Sequence, residues 1–224
     1  MTPAELTGRA RTHIVDAADP PCALHAEVVA PFMSMRRAAA ESGLDLVAQS
    51  AFRDFSRQLS IWNAKWNGQL ALYDPSGRAL DAGSLAPAQR ITAILHWSAL
   101  PGASRHHWGT DLDLIDMNAV GPGYRVQLTT AEFDPPGPFA PLADWLAGNA
   151  MRFGFFRPFR GVRSGVQREP WHFSFAPLAE GARRALTPGV LRAALAGADL
   201  SGKETVLERL EELHARYVAS IDWP

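Results

Sequence analysis

Apolar residues recur at helical spacing from Leu24 to Ser42, and Gly43 suits the left-handed residue that closes a helix. The next segment, Leu44–Ser50, alternates apolar and polar positions and predicts a strand. Asp54 can cap a helix that runs to about Asn67 and carries Ile61, Trp62 and Trp66. Residues 68–86 are rich in Gly, Asp, Ser and Pro and read as a loop, after which Pro87 suits the first position of a helix reaching about Ser98. Asp111–Asp116 alternates charged with apolar residues, the pattern of a half-buried strand. Residues 117–138 predict a long loop or hairpin, and Pro141–Phe153 predicts a helix stopped by Gly154. A basic, Gly-containing loop over 157–168 precedes a strand at Trp171–Phe175. Thr187-Pro188 reads as a cap and first helical residue, and Ser201-x-x-Glu204 as a capping box opening a helix to about Ser220.

Helices and strands intermix without a regular βαβ rhythm. That predicts an α+β class: a central antiparallel sheet surrounded by helices in a single domain. A length of 224 residues fits one domain with elaborations. The expected organisation is an N-terminal arm over 1–21, irregular but for a short element, a core over 22–185, and a helical extension of the same domain over 186–224.

Composition narrows the function classes. Hydrophobic residues make up 47% and charged residues 20%, as in ordinary globular proteins. The net charge of −1 gives no basic excess for a nucleic-acid partner. Cys22 is the single cysteine, so no intramolecular disulfide and no Cys-rich zinc site can form. It reads as a small buried hydrophobe. No stretch approaches the roughly 18 apolar residues of a membrane span. The first residues lack a basic head followed by an apolar run, so a cytoplasmic location is expected for the chain as written, and a periplasmic or secreted one if the N-terminus is trimmed.

Any metal would therefore rest on His, Asp or Glu. Two neighbourhoods stand out among the seven histidines: Ser104-Arg-His106-His-Trp-Gly109-Thr-Asp111-Leu-Asp113 and Glu169-Pro-Trp-His172. Both adjoin strand-like segments that can hold side chains rigidly. A catalytic zinc needs about three N or O ligands and one open position. His106, Asp113 and His172 could supply the three, and Glu169 is placed to accept a proton beside the metal. Asp111 faces the same side of a strand as Asp113 and is a rival ligand. His107 is likewise a rival to His106.

These segments resemble the zinc D-alanyl-D-alanine carboxypeptidases of the VanY type. The resemblance rests on Ser104-x-His106-x-x-Gly109-x-x-x-Asp113, on Glu169-x-Trp171-His172, and on an upstream Ser50-x-x-Arg53-x-x-x-x-Gln58. It implies that the central sheet holds a Zn2+ site in a peptidase core. It implies His106, Asp113 and His172 as ligands and Glu169 as general base and later acid. Arg53 would bind substrate near the scissile bond, with Ser50 and Gln58 lining the same pocket. Ser104 and Trp171 are further expected substrate contacts. The implied activity is hydrolysis of the C-terminal D-Ala-D-Ala bond of a peptidoglycan stem peptide or precursor. Cleavage of L,D or internal peptidoglycan bonds, or a non-catalytic zinc-containing peptide-binding module, are the alternatives. The motif register favours Asp113 and His106 over their rivals. One departure is Asp111, which stands where the family usually has a small residue.

Other conspicuous residues have plainer readings. Trp62, Trp66 and Trp97 sit on predicted helices and are expected in the core. Trp108 and Trp171 flank the proposed ligands and are expected to wall the site. His13, His25, His96 and His214 read as surface or packing residues. Arg157, Arg160, Arg163 and Arg168 read as a solvated basic loop that could draw an anionic substrate.

Overall fold

In a computed structural model, which describes residues 1–163 and 165–223, the chain opens with helix α1 (Pro3–Leu6) and a hairpin of β1 (Ile14–Ala18) and β2 (Pro21–His25). Helix α2 (Ala26–Ala40) leads through β3 (Leu46–Ser50) to α3 (Phe55–Trp66). A small hairpin, β4 (Leu72–Tyr73) and β5 (Ala79–Leu80), precedes α4 (Pro87–Leu95). Then come β6 (Asp111–Asp116), α5 (Thr130–Phe133), α6 (Ala140–Asn149), β7 (Phe155–Phe156) and β8 (His172–Phe175). Four helices finish the chain: α7 (Ala176–Ala185), α8 (Pro188–Ala196), α9 (Lys203–Glu208) and α10 (Leu210–His214). None of the described helices is long and apolar enough to cross a membrane.

The central sheet is antiparallel in the order β3-β6-β8-β7. Alternation along its strands sorts the side chains onto two faces. Leu112 and Leu114 of β6 and Phe173 and Phe175 of β8 join Val28, Phe32 and Met35 of α2 and Leu142 and Leu146 of α6 in one apolar cluster. The opposite face carries Asp111, Asp113, His172 and Ser174. A second, larger cluster unites Phe55 and Trp62 of α3, Ile91 and Ile94 of α4, and residues of α7 through α10. The C-terminal helices thus share a core with α3 and α4.

Several expected elements differ in instructive ways. The strand at Asp111–Asp116 is buried on both faces, not one. Its carboxylates are sheltered because cationic and hydrogen-bonding partners surround them. Residues 14–18 are paired rather than irregular, Val15 standing opposite Leu24, and so α2 begins at Ala26 rather than Leu24. The expected capping box at Ser201 does not form. Ser201 is held by α3, its N–H donating to Asn63 Oδ1 and its carbonyl accepting from Trp62 Nε1. The helix opens instead after left-handed Gly202, breaks at Arg209, and ends in a π-helical turn at Ala215–Ala219. Residue 164, inside the expected basic loop, lies outside the described residues.

Gly109 joins the N-terminal hairpin to the sheet. It ends a 3-10 turn, Arg105–Trp108, in left-handed geometry (φ 65°), and its carbonyl accepts from His25 N–H at 2.9 Å. A Cβ there would lie 2.6 Å from that backbone nitrogen and 2.4 Å from Ile14 Cδ1. Strain and collision add, so Gly109→Ala is expected to cost on the order of 1–3 kcal/mol or more. A denaturant midpoint equal to that of the native chain would contradict this.

Candidate metal centre and cleft

Strand register assembles the centre. Asp113 of β6 stands opposite His172 of β8 and beside Ser50 of β3, and Asp111 stands opposite Ser174. His106 arrives from the 3-10 turn that precedes β6. One ligand atom from each of His106, Asp113 and His172 lies within 4.8 Å of the others, and all three residues are buried. His106 Nε2 is 3.3 Å from Asp113 Oδ2, and His172 Nδ1 is 3.2 Å from Asp113 Oδ1.

The outer hydrogen bonds assign the inner atoms. His106 Nδ1 is 2.8 Å from the Ala51 carbonyl, so it carries the proton and Nε2 presents its lone pair inward. His172 Nε2 is 3.0 Å from Asp111 Oδ1, so its proton points outward and Nδ1 faces the centre. Asp113 Oδ1 is buried without a well-formed hydrogen bond. Two ring nitrogens and one buried carboxylate therefore gather together, an arrangement that fits a cation. Burial pushes the His172 pKa down, but hydrogen bonds to Asp111, Asp113 and Glu169 prevail and raise it well above the usual value. Burial likewise disfavours the Asp113 charge, yet His106 and His172 hold its carboxyl far below the ordinary range.

Asp111 is not among the converging atoms. Its Oδ1 accepts from Arg105 Nε at 2.7 Å, and its Oδ2 accepts from the Thr110 hydroxyl at 2.5 Å and the Ser174 hydroxyl at 3.1 Å. Arg105 also donates to Ser174 at 2.6 Å. The rival carboxylate thus braces His172 from behind. His107, the other rival, is fully buried and turned away. Its Nε2 accepts from Gly102 N–H, so Nδ1 donates to the Arg53 carbonyl at 2.5 Å. Burial lowers the His107 pKa to about 4, which keeps the ring neutral.

Glu169 sits at the rim, its Oε2 3.3 Å from His172 Nδ1. Arg53 follows β3, its N–H donating to the His106 carbonyl. Its guanidinium donates to Ser50 Oγ at 3.0 Å and Gln58 Oε1 at 2.9 Å. Gln58 in turn donates to the Ala99 carbonyl. The motif is therefore a brace. Ser50 and Gln58 were expected to line the pocket, but neither is among the residues lining it; their polar atoms are spent on holding Arg53. Burial lowers the Arg53 pKa, while the charges of Asp113 and Glu169 act the opposite way.

A cavity of about 510 Å³ opens over these groups. Arg53, Ser104, His106, Asp113, Glu169, Trp171 and His172 line it, and so do Leu191, Leu213 and Tyr217 from the C-terminal helices. Trp171 walls the site as expected. Trp108 does not: it is wholly buried in the core with its Nε1 donating to the Leu6 carbonyl, because its turn points it away from the cleft. The motifs also left out Lys65, which lines the cavity from α3. No recognisable sequence motif marked it, only its seven-residue spacing from Gln58.

Comparison with known proteins bears on the family and the fold. Residues 22–178 match the family described as VanY, D-alanyl-D-alanine carboxypeptidase. An uncharacterized protein of Haemophilus influenzae is 37% identical over 121 residues, 53% of this chain and 92% of that one. The solved structure of VanYB in complex with D-alanine-D-alanine superposes with a TM-score of 0.54 at 19% identity, over 83% of this chain and 89% of that one. A VanY D,D-pentapeptidase mutant in complex with Zn(II) gives 0.52 at 21% identity, over 77% and 83%. These two structures share the mixed fold with its central antiparallel sheet. With the family match covering most of its length, the chain belongs to the VanY family of D-alanyl-D-alanine carboxypeptidases.

Proposed function

We propose that this protein is a zinc-dependent carboxypeptidase that removes the C-terminal D-alanine from peptidoglycan stem peptides ending in D-Ala-D-Ala. The observation that carries this reading is the convergence of His106, His172 and the buried Asp113 carboxylate, with Glu169 beside them. Two histidines and one carboxylate with room left over suit a catalytic zinc. When bound there, zinc would supply Lewis acidity toward a water and the scissile carbonyl.

The chain's own groups do the rest. Glu169 takes the proton of the attacking water and returns it to the leaving amine nitrogen. Arg53, braced by Ser50 and Gln58, donates to the oxygen that gains negative charge. Trp171, packed against Phe133, is a fixed wall that limits water at the reacting bond. A purely structural zinc site would need no Glu169 and would be closed by a fourth protein ligand.

The Asp111 brace gives a separate prediction. Asp111→Asn keeps the shape but loses the charge that orients His172 and pairs with Arg105. Zinc affinity is expected to fall about 10–100-fold. Competition with a chromophoric chelator measures it, and native affinity in the variant would remove Asp111 from this role.

A panel of peptides tests the function. Stem pentapeptide, stem tetrapeptide and an internally cross-linked peptide are each incubated with zinc-loaded protein and followed by mass spectrometry. Loss of one terminal alanine from the pentapeptide alone is the expected result. Cleavage of only the tetrapeptide or the cross-link would replace the D,D assignment with the L,D or endopeptidase one.

A further inference from the structure

Three Arg and Lys side chains line the cavity wall: Arg53, Arg105 and Lys65. Arg53 is held by Ser50 and Gln58, and Arg105 by Asp111 and Ser174. Lys65 is different. Its ammonium makes no hydrogen bond and no close ion pair with any described residue.

Its position is set by α3. Lys65 follows the buried Gln58 by seven residues, two turns along the same helix face. A long helical side chain leans back over the preceding turn, which carries the ammonium toward the Arg53 end of the cavity. There it senses both Glu169 and Arg53. Burial lowers its pKa to about 8, Glu169 acting the opposite way and Arg53 adding to the fall. A partly desolvated ammonium with no protein partner gains from an anion that enters the cavity.

A substrate that loses its last residue brings such an anion. Its terminal carboxylate lies one residue beyond the scissile carbonyl, and consecutive Cα atoms are about 3.8 Å apart. Leu95, Leu100 and Ala103 line the same cavity and suit a small apolar side chain on that residue. We propose that Lys65 binds the free C-terminal carboxylate of the substrate, so that the cavity selects peptides ending one residue past the scissile bond. This rests on the peptidase reading above and deepens it: Arg53 stays with the scissile carbonyl, and the enzyme trims chain ends rather than cutting internal bonds.

The test is a cycle of variant and substrate. Native protein, Lys65→Met and Lys65→Arg, each zinc-loaded, are given stem pentapeptide as the free acid and as the C-terminal amide. A charge-assisted hydrogen bond corresponds to roughly a 10–100-fold change in kcat/KM. Native protein is expected to prefer the acid by that factor. Lys65→Met is expected to lose about as much on the acid, mainly through KM, and to show little remaining preference. The two losses then fail to add, as they must if ammonium and carboxylate touch. Lys65→Arg is expected to keep most of the preference. A native acid-to-amide ratio in Lys65→Met would overturn the assignment, as would a native protein indifferent to the amide. If the native protein cleaves none of the peptides, the peptidase reading itself fails and this inference with it.

Discussion

Replacing Glu169 by Ala is expected to lower turnover of the pentapeptide by roughly 10²–10⁴-fold while one zinc per chain stays bound. The separation of the two effects follows from geometry. Glu169 Oε2 stands 3.3 Å from His172 Nδ1, close enough to serve the reacting water. It lies outside the trio whose ligand atoms converge within 4.8 Å. Loss of the carboxylate removes the proton acceptor without removing a ligand. Glu169→Gln should behave similarly, because the amide preserves shape but cannot take the proton. Single-turnover kinetics with parallel metal analysis checks both statements. Turnover near native in either variant would remove Glu169 from proton transfer, and loss of zinc would move it into the ligand set.

The second large effect is the reverse. His172→Ala is expected to abolish stoichiometric zinc binding, and activity with it. The ring supplies Nδ1 to the centre while its Nε2–H is fixed by Asp111, so no neighbouring group can replace it in the same orientation. Asp113→Asn is expected to weaken metal binding in the same direction, since it removes the buried charge flanked by both histidines. Elemental analysis of dialysed protein reads both. A His172→Ala protein that keeps one tightly held zinc would exclude His172 as a ligand. The folded state of the variant can be checked independently through the apolar cluster on the opposite face of the sheet, which does not include His172.

Much of this centre was legible because its parts lie on elements whose patterns are local. The alternation of Asp111–Asp116 predicts a strand at those residues, and the strand is there. Asp54 caps α3, and Pro87 and Pro188 sit in the first turns of α4 and α8, as their chemistry requires. What escaped depends on contacts between distant segments. Alternation puts Asp111 and Asp113 on the same face, so only the motif register from His106 favours Asp113 in the sequence. The register of β8 sets Ser174 opposite Asp111 and His172 opposite Asp113, and Arg105, Thr110 and Ser174 take up the Asp111 carboxylate. Ser50 and Gln58 look like pocket residues until Arg53 is seen to occupy their polar atoms. Ser201 and Glu204 form a capping box on paper, but Trp62 and Asn63 take the Ser201 backbone first. Lys65 carries no motif at all; only the packing of α3 against the cleft gives it meaning.

The measurement that bears most directly on the central claim is cleavage of stem pentapeptide followed by mass spectrometry in three states of one preparation: zinc-loaded, stripped with chelator, and stripped then reloaded. A metal-dependent carboxypeptidase centred on His106, Asp113 and His172 releases one alanine in the first and third states and none in the second. Cleavage that survives complete stripping, or an intact pentapeptide in all three states, would contradict it.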